Sequence, residues 1–244
     1  GRGEKDANRV LNRSTQSVRS PGSSMKPITS YGPAIAENLV HYSSPVRDAP
    51  ITLPNGSEWP KNYGQSKPKD SGDVLLGVAL QKSLNTVVVR LVDEMGKENS
   101  FDYLQDTYHL STLVTNKVVE GNTLTDKDLA PLSLGAFSDG VTAREMAAAY
   151  AVFGNGGYYN EPYTFYKVTQ GMGDDAITVL NGGQRSQKVM DADSAYVMVS
   201  LMRRVVEQGT AWTGVGQNWK GWQVYGKTGT SDNQQDVYFA GGTP

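Results

Sequence analysis

The chain has 244 residues, 38% hydrophobic and 9% aromatic, which is enough to bury one sizeable core, and no composition shift divides it in two. Its 23 basic and 25 acidic residues leave a net charge of -2, with no basic stripe, so nucleic acid is not expected as a partner. Absent cysteine removes disulfides, thiolate nucleophiles and Cys-ligated zinc, and two distant histidines, His41 and His109, leave little for a metal site, so neither metal nor cofactor is expected.

Residues 1–20 are polar apart from Val10 and Leu11, and read as loop or a frayed helical turn. Pro21-Gly22-Ser23-Ser24-Met25-Lys26-Pro27 then supplies a break followed by a helix start. Ser23 and Lys26 stand three residues apart, so on a helix they share a face and the lysine amine comes within reach of the serine hydroxyl. Serine is a poor nucleophile without a base. Lysine serves as one only when burial or a second cation lowers its pKa. The same spacing in Ser66-Lys67-Pro68-Lys69 lies in a polar, aperiodic stretch and reads as exposed loop.

Met25, Ile28, Tyr31, Ile35 and Leu39 recur at three or four, which predicts a helix over 24–40 despite Pro33. Tyr42 to Asp70, with five prolines, reads as a long surface excursion. Ser71 is an expected N-cap, with Val74, Leu75, Val78 and Leu80 on a helix stopping near Lys82. Ser83-Leu84-Asn85 follows as a tight link to a buried helix, Thr86 to Met95, closed by Gly96. Two polar side chains between buried helices cost free energy unless hydrogen-bonded, although an isolated Ser-x-Asn by itself reads first as a helix cap. Ser231-Asp232-Asn233 repeats the pattern as turn chemistry.

A helix is expected over 101–108, while 110–128 carries no clear period. Thr142-Ala143-Arg144-Glu145 is a capping-box pattern opening a helix with Met146, Ala149, Tyr150 and Phe153 on one face. Strands are expected over 163–169 and 176–180. Asp191 caps the next helix, whose Met198, Leu201, Met202 and Val205 run up to Gly209. Residues 222–231 form a strand carrying Lys227-Thr228-Gly229-Thr230, with 237–240 as its hairpin partner. Glycine weakens a strand and often marks close backbone approach, though alone it also fits a hairpin entry. No apolar run reaches the about 18 residues of a spanning helix and no charged-then-apolar leader opens the chain, so no membrane contact is expected from this segment. A Ser-His-Asp hydrolase is disfavoured, since no Gly-x-Ser-x-Gly elbow occurs.

Ser-x-x-Lys, Ser-x-Asn and Lys-Thr-Gly-Thr occur in the order that marks serine β-lactamases and penicillin-binding proteins. The sequence resembles the transpeptidase domain of class A penicillin-binding proteins nearly end to end. Asn12-Arg13-Ser14-Thr15-Gln16, Gly140-Val141-Thr142, Asn155-Gly156-Gly157, Glu207-Gln208-Gly209-Thr210 and Asp236-Val237-Tyr238-Phe239-Ala240-Gly241 add to the likeness. It implies an α/β fold of the α+β type, a central, mostly antiparallel sheet flanked by helices. It also implies a D,D-transpeptidase in which Ser23 attacks the D-alanyl-D-alanine carbonyl of a peptidoglycan stem peptide. Lys26 would be its base, Ser83 a proton relay, Asn85 a holder of Lys26 and substrate, and Lys227 a source of positive field. Thr228, Gly229 and Thr230 would bind the substrate terminus, with the NH groups of Ser23 and Thr230 as oxyanion hole.

β-Lactams would block Ser23. A serine β-lactamase, a D,D-carboxypeptidase and a non-catalytic β-lactam sensor are the alternatives. Leu84 stands where the lactamase form has Asp, and no Glu-bearing loop placed to activate a deacylating water is evident; both favour the transpeptidase. The resemblance further implies work at the extracytoplasmic face, in a parent protein anchored upstream in the membrane. Strands before the serine helix and after the hairpin belong to such a sheet. Only about 22 polar residues precede Ser23, and the chain closes on Gly241-Gly242-Thr243-Pro244, so 1–244 is expected to be one transpeptidase domain lacking flanking strands; either a separate segment, such as an N-terminal one of the same protein, supplies them, or the fragment is marginally stable.

Overall fold

The computed structural model describes residues 11–182, 185–231 and 236–243. Helix Ala192–Gln208 fills the centre because its Ala195, Met198, Leu201, Met202 and Val205 recur on one face and lose all contact with water. That face packs on strand Tyr225–Thr230, on helix Leu76–Gln81 and on helix Ala143–Gly154. Gly209 ends it as expected. Asp191 occupies the N-cap position, but its carboxylate takes Lys188 Nζ at 2.6 Å and caps no helix NH.

Helix Ala143–Gly154 opens with the predicted capping box: the NH of Glu145 donates to Thr142 Oγ1 at 3.2 Å, and the NH of Thr142 donates to the Glu145 carboxylate at 2.9 Å. The same carboxylate accepts from Ser111 and Thr112 and fastens that loop to the helix start.

The helical stretch after the serine is continuous but irregular. It runs as a 3₁₀ turn Gly22–Met25, a wide turn Pro27–Tyr31 with i→i+5 bonding, and a regular turn Gly32–Ala36. Pro33 has no NH for the carbonyl of Thr29, four residues back; the buried Ser100 hydroxyl donates to that carbonyl instead, at 2.8 Å. The helix ends at Ala36, short of the expected residue 40. Asn38 adopts φ +60°, and the NH groups of Asn38 and Leu39 return to Ile35 and Ala34, a left-handed closure.

Strands form as antiparallel pairs, and the central hairpin joins Tyr225–Thr230 to Val237–Gly242, with Lys227 opposite Ala240 and Thr230 opposite Val237. Helices Ala143–Gly154 and Ala192–Gln208 pack against it, which gives the mixed helix-and-sheet class expected. The strand is shorter than the predicted 222–231, and Ser231 lies beyond it; Asp232 and Asn233 lie outside the described residues.

Several local expectations give way to pairing. Val18–Arg19 is a strand on Val141–Thr142, not loop. Asp73–Leu75 is a strand on Pro45–Arg47, so the helix expected from Ser71 begins only at Leu76. Arg47 binds both Asp70 and Asp73, and Leu76 NH donates to Ser44 O, holding that register. The 42–70 excursion also contains the pair Ile51–Thr52 and Glu58–Trp59, and 110–128 holds the hairpin Lys117–Val119 with Asn122–Leu124. The helix over 101–108 is there, beginning already at Lys97 and closing with a wide turn Tyr103–Thr107. Lys167–Gln170 and Ile177–Asn181 pair as the two strands predicted in that region.

Candidate active site

Ser23 sits half-buried in the 3₁₀ turn, where the NH of Lys26 donates to the carbonyl of Ser23. At three residues per turn, side chains i and i+3 eclipse, so this turn aligns Ser23 with Lys26 more closely than an α-helix would. The turn is fixed from below by Tyr150, whose buried hydroxyl donates to Ser24 O at 2.6 Å.

Two glycines let the late strand come down onto the turn. A Cβ on Gly229 would lie 2.1 Å from Pro21 O and 2.9 Å from Ser24 Oγ. Gly22 has φ +53°, and a Cβ there would lie 2.5 Å from Thr230 O and 3.1 Å from Thr230 N. The strand glycine is thus a contact point between backbones, and it brings the main chain of Thr230 beside the serine.

Lys26 is fully buried, and among the described residues its hydrogen bonds run across to the 83–85 link, not to Ser23. Nζ lies 2.6 Å from Asn85 Oδ1, 2.8 Å from Ser83 O and 3.3 Å from Ser83 Oγ. The link takes this shape because helix Leu76–Gln81 closes with Ser83 at φ +58°, its NH returning to Leu80 and that of Leu84 to Ala79. A serine in the left-handed region costs about 1 kcal/mol relative to glycine. In exchange, both its carbonyl and its hydroxyl face Lys26.

Burial, and then the charge of Lys227, hold Lys26 well below the ordinary lysine pKa. Lys227 is also buried, and desolvation lowers it to about 7. All three contacts of Lys26 Nζ are to oxygens: Asn85 Oδ1 and Ser83 O only accept, while the Ser83 hydroxyl can also donate, so the set can hold the amine in its neutral form. Lys227 Nζ donates to Thr228 O at 3.0 Å and lies 3.4 Å from Thr228 Oγ1, which shares a 2.6 Å hydrogen bond with Thr210 Oγ1. Thr228 is half-buried and Thr230 exposed, so a hydroxyl ledge with a cation behind it borders the serine turn.

All eight residues singled out, Ser23, Lys26, Ser83, Asn85, Lys227, Thr228, Gly229 and Thr230, belong to this one region. Ser66 lies exposed in a loop. His109 packs its ring edge-on to Tyr159, 4.9 Å between centroids, and meets Gln187 at 2.9 Å. Among the described residues there is no cluster of metal-ligating side chains, and no helix is long and apolar enough to cross a membrane. Asp48 and Asn62 join the network through Thr86 and Asn85, although their sequence context carried no periodicity or motif. Thr210, which joins through Thr228, had a signal in its place in Glu207-Gln208-Gly209-Thr210.

The family model of the penicillin-binding protein transpeptidase domain matches residues 2–236, and the chain belongs to that family. Penicillin-binding protein 1A of Clostridium tetani is 34% identical over 239 residues, covering 96% of this chain and 29% of its own length. Penicillin-binding protein 4 of Bacillus subtilis is 32% identical over 232 residues, covering 95% of this chain and 34% of its own. The chain thus spans about a third of these relatives' length. Within the family it is a transpeptidase domain of the class A type.

Solved structures share the fold. Penicillin-binding protein 1A from Haemophilus influenzae superimposes with a TM-score of 0.71 at 24% identity, over 95% of this chain and 37% of that one. Penicillin-binding protein A from M. tuberculosis, as an imipenem acyl-enzyme complex, gives 0.72 at 22% identity, over 96% and 53%.

Proposed function

We propose that this domain is a peptidoglycan D,D-transpeptidase working through a serine acyl-enzyme. The observation that carries the reading is the buried Lys26 amine, one eclipsed turn from Ser23 and bonded to both polar residues of the 83–85 link. Ser23 Oγ attacks the carbonyl between two D-alanines, and its proton passes to Lys26. NH groups of Ser23 and Thr230 hold the oxyanion as the tetrahedral intermediate forms. Lys26 passes that proton to Ser83, to which it is hydrogen-bonded, as Ser83 gives its own to the departing D-alanine nitrogen and the C–N bond breaks. Thr228 and Thr230 hold the terminal carboxylate, and Lys227 behind them adds positive field. The amine of a second stem peptide then attacks the ester, giving a cross-link and restoring Ser23.

β-Lactams enter by the same attack, and their ring opening leaves Ser23 acylated. The partners are therefore stem peptides and β-lactams, the setting is the extracytoplasmic face of the cell membrane, and the parent protein is anchored there. The 29–34% of each relative's length that matches leaves room for such an anchor.

Intact-mass measurement before and after penicillin tests the reading. One adduct of the drug's mass is expected, mapping to the Ser23 peptide, absent in Ser23→Ala, and persisting after free drug is removed. An adduct on Ser66, or one that survives Ser23→Ala, overturns the assignment of the nucleophile. Loss of the adduct within seconds makes the protein a β-lactamase instead.

A further inference from the structure

Asn85 stands at the first position of helix Asn85–Met95, and the residue before it, Leu84, has no side chain able to cap the helix. The first NH groups of a helix lack intrahelical acceptors and, when buried, cost free energy if left unpaired. Here a residue 23 positions upstream supplies the acceptor. Asn62 Oδ1 receives the NH of Asn85 at 2.7 Å and the NH of Thr86 at 3.3 Å.

The orientation of that amide is fixed from its other end. Asn62 Nδ2 donates to Asp48 Oδ1 at 2.7 Å, and Thr86 Oγ1 donates to the same oxygen at 2.5 Å. Asp48, Asn62 and Thr86 are all buried, and Asp48 is tied by its backbone to Ser71 and Gly72. Arg90, one turn further along the helix, donates to the carbonyls of Ala49 and Pro50 at 2.7 Å each. The 48–50 and 61–62 segments are thereby fastened to this helix start, and a carboxylate near the positive end of a helix is favourable as well.

Holding Asn62 also places its neighbour. Lys61 O accepts Asn85 Nδ2 at 3.0 Å, while Asn85 Oδ1 accepts Lys26 Nζ at 2.6 Å. With Nδ2 committed to a carbonyl, the Asn85 amide can turn only its oxygen to the lysine. We propose that Asn62, locked by Asp48 and Thr86, is a positioning residue that caps the helix in trans and sets the Asn85 side chain against Lys26. This rests on the acyl-enzyme reading above, in which Lys26 is the base for Ser23.

The test is a double-mutant cycle on the full chain, with the second-order rate of acylation by a fluorescent penicillin and the melting temperature both recorded. Asn62→Ala is expected to slow acylation by about 10²-fold, the loss that a displacement of about 1 Å produces at a reacting group. In an Asn85→Ala background the same change is expected to alter the rate by no more than about 2-fold, because the residue it acts through is gone. Its cost in melting temperature should appear in both backgrounds. Equal rate losses in the two backgrounds, or parent-like acylation by Asn62→Ala, overturn the proposal.

Thr86→Val, which keeps the shape and both NH groups, runs the same comparison if Asn62→Ala melts below assay temperature. Its rate loss is expected to be smaller and again confined to chains with Asn85. A crystal structure of the Asn62→Ala variant reads the point without acylation. Asn85 Oδ1 beyond hydrogen-bond distance of Lys26 Nζ supports the proposal, and an unmoved contact overturns it. If the parent chain takes up no penicillin at all, the acyl-enzyme reading fails, and this structural readout still decides the role of Asn62.

Discussion

Replacing Lys227 by methionine should make the protein more stable while disabling it. The lysine is fully buried, and the acceptors it reaches are the carbonyl and hydroxyl of Thr228. Desolvation lowers it from 10.5 to about 7. Between those values the unfolded chain holds a proton that the folded chain has released, so stability rises with pH, by about 1.4 kcal/mol per pH unit. The cost of the buried cation is complete below about pH 7 and is relieved towards pH 10.5. At neutral pH this sets a ceiling of about 4 kcal/mol, in the range gained when buried charges give way to apolar side chains of similar volume.

Methionine is unbranched, of similar length, and free of that cost. For a chain of this size, Lys227→Met should raise the melting temperature by about 5–10 °C at pH 7. The gap between variant and parent should close as pH rises towards about 9.5. Above that the comparison ends, because unfolded tyrosines ionise near 10 whereas buried Tyr31, Tyr108 and Tyr150 keep their protons, which reverses the slope. Thermal melts of both proteins at pH 7, 8 and 9.5 read the effect, and penicillin acylation of the variant should fall sharply. A variant less stable than the parent at pH 7, or a gap that does not change with pH, would refute the reasoning.

Lys26→Arg should reduce penicillin acylation to background, since arginine keeps its proton at any working pH and cannot act as base; acylation at the parent rate in a mass assay would leave Lys26 an electrostatic partner only. Gly229→Ala drives a methyl to 2.1 Å from Pro21 O, so the strand must lift from the serine turn. Acylation at least 10-fold slower and a stability loss of about 1–3 kcal/mol are expected, and an unchanged rate would show that the approach does not matter. Glu145→Ala removes an acceptor shared by Thr142, Ser111 and Thr112, and should lower stability by about 2 kcal/mol or more in denaturant melts. Burial alone would raise the Glu145 pKa, but hydrogen bonds from Thr142 and Ser111 outweigh it and lower it, so its contribution is present above the usual carboxylate pKa and fades as pH falls through the lowered value.

The amino-acid sequence by itself determined the elements whose signals are local. Helix Ala192–Gln208 and helix Ala143–Gly154 followed from apolar spacing and a capping box, and the hairpin from two short runs around a turn, because each depends on residues within a few positions of one another. The three short motifs named the residues of the candidate site for the same reason. Tertiary structure decided the rest. Asp73–Leu75 carries residues that suit a helix and is a strand only because Pro45–Arg47 lies alongside it. The helix through Pro33 survives because Ser100, 71 residues away from Thr29, donates to the carbonyl that proline leaves open. Lys26 was legible as a base candidate, but the lowering of its pKa comes from burial and then from Lys227, 201 positions downstream. Asn62 and Asp48, in a stretch that reads as surface loop, become buried partners of Asn85 and Thr86 only once the chain has folded back. Hydrogen bonds and desolvation act through space, so sequence spacing records them only where the partners are near along the chain.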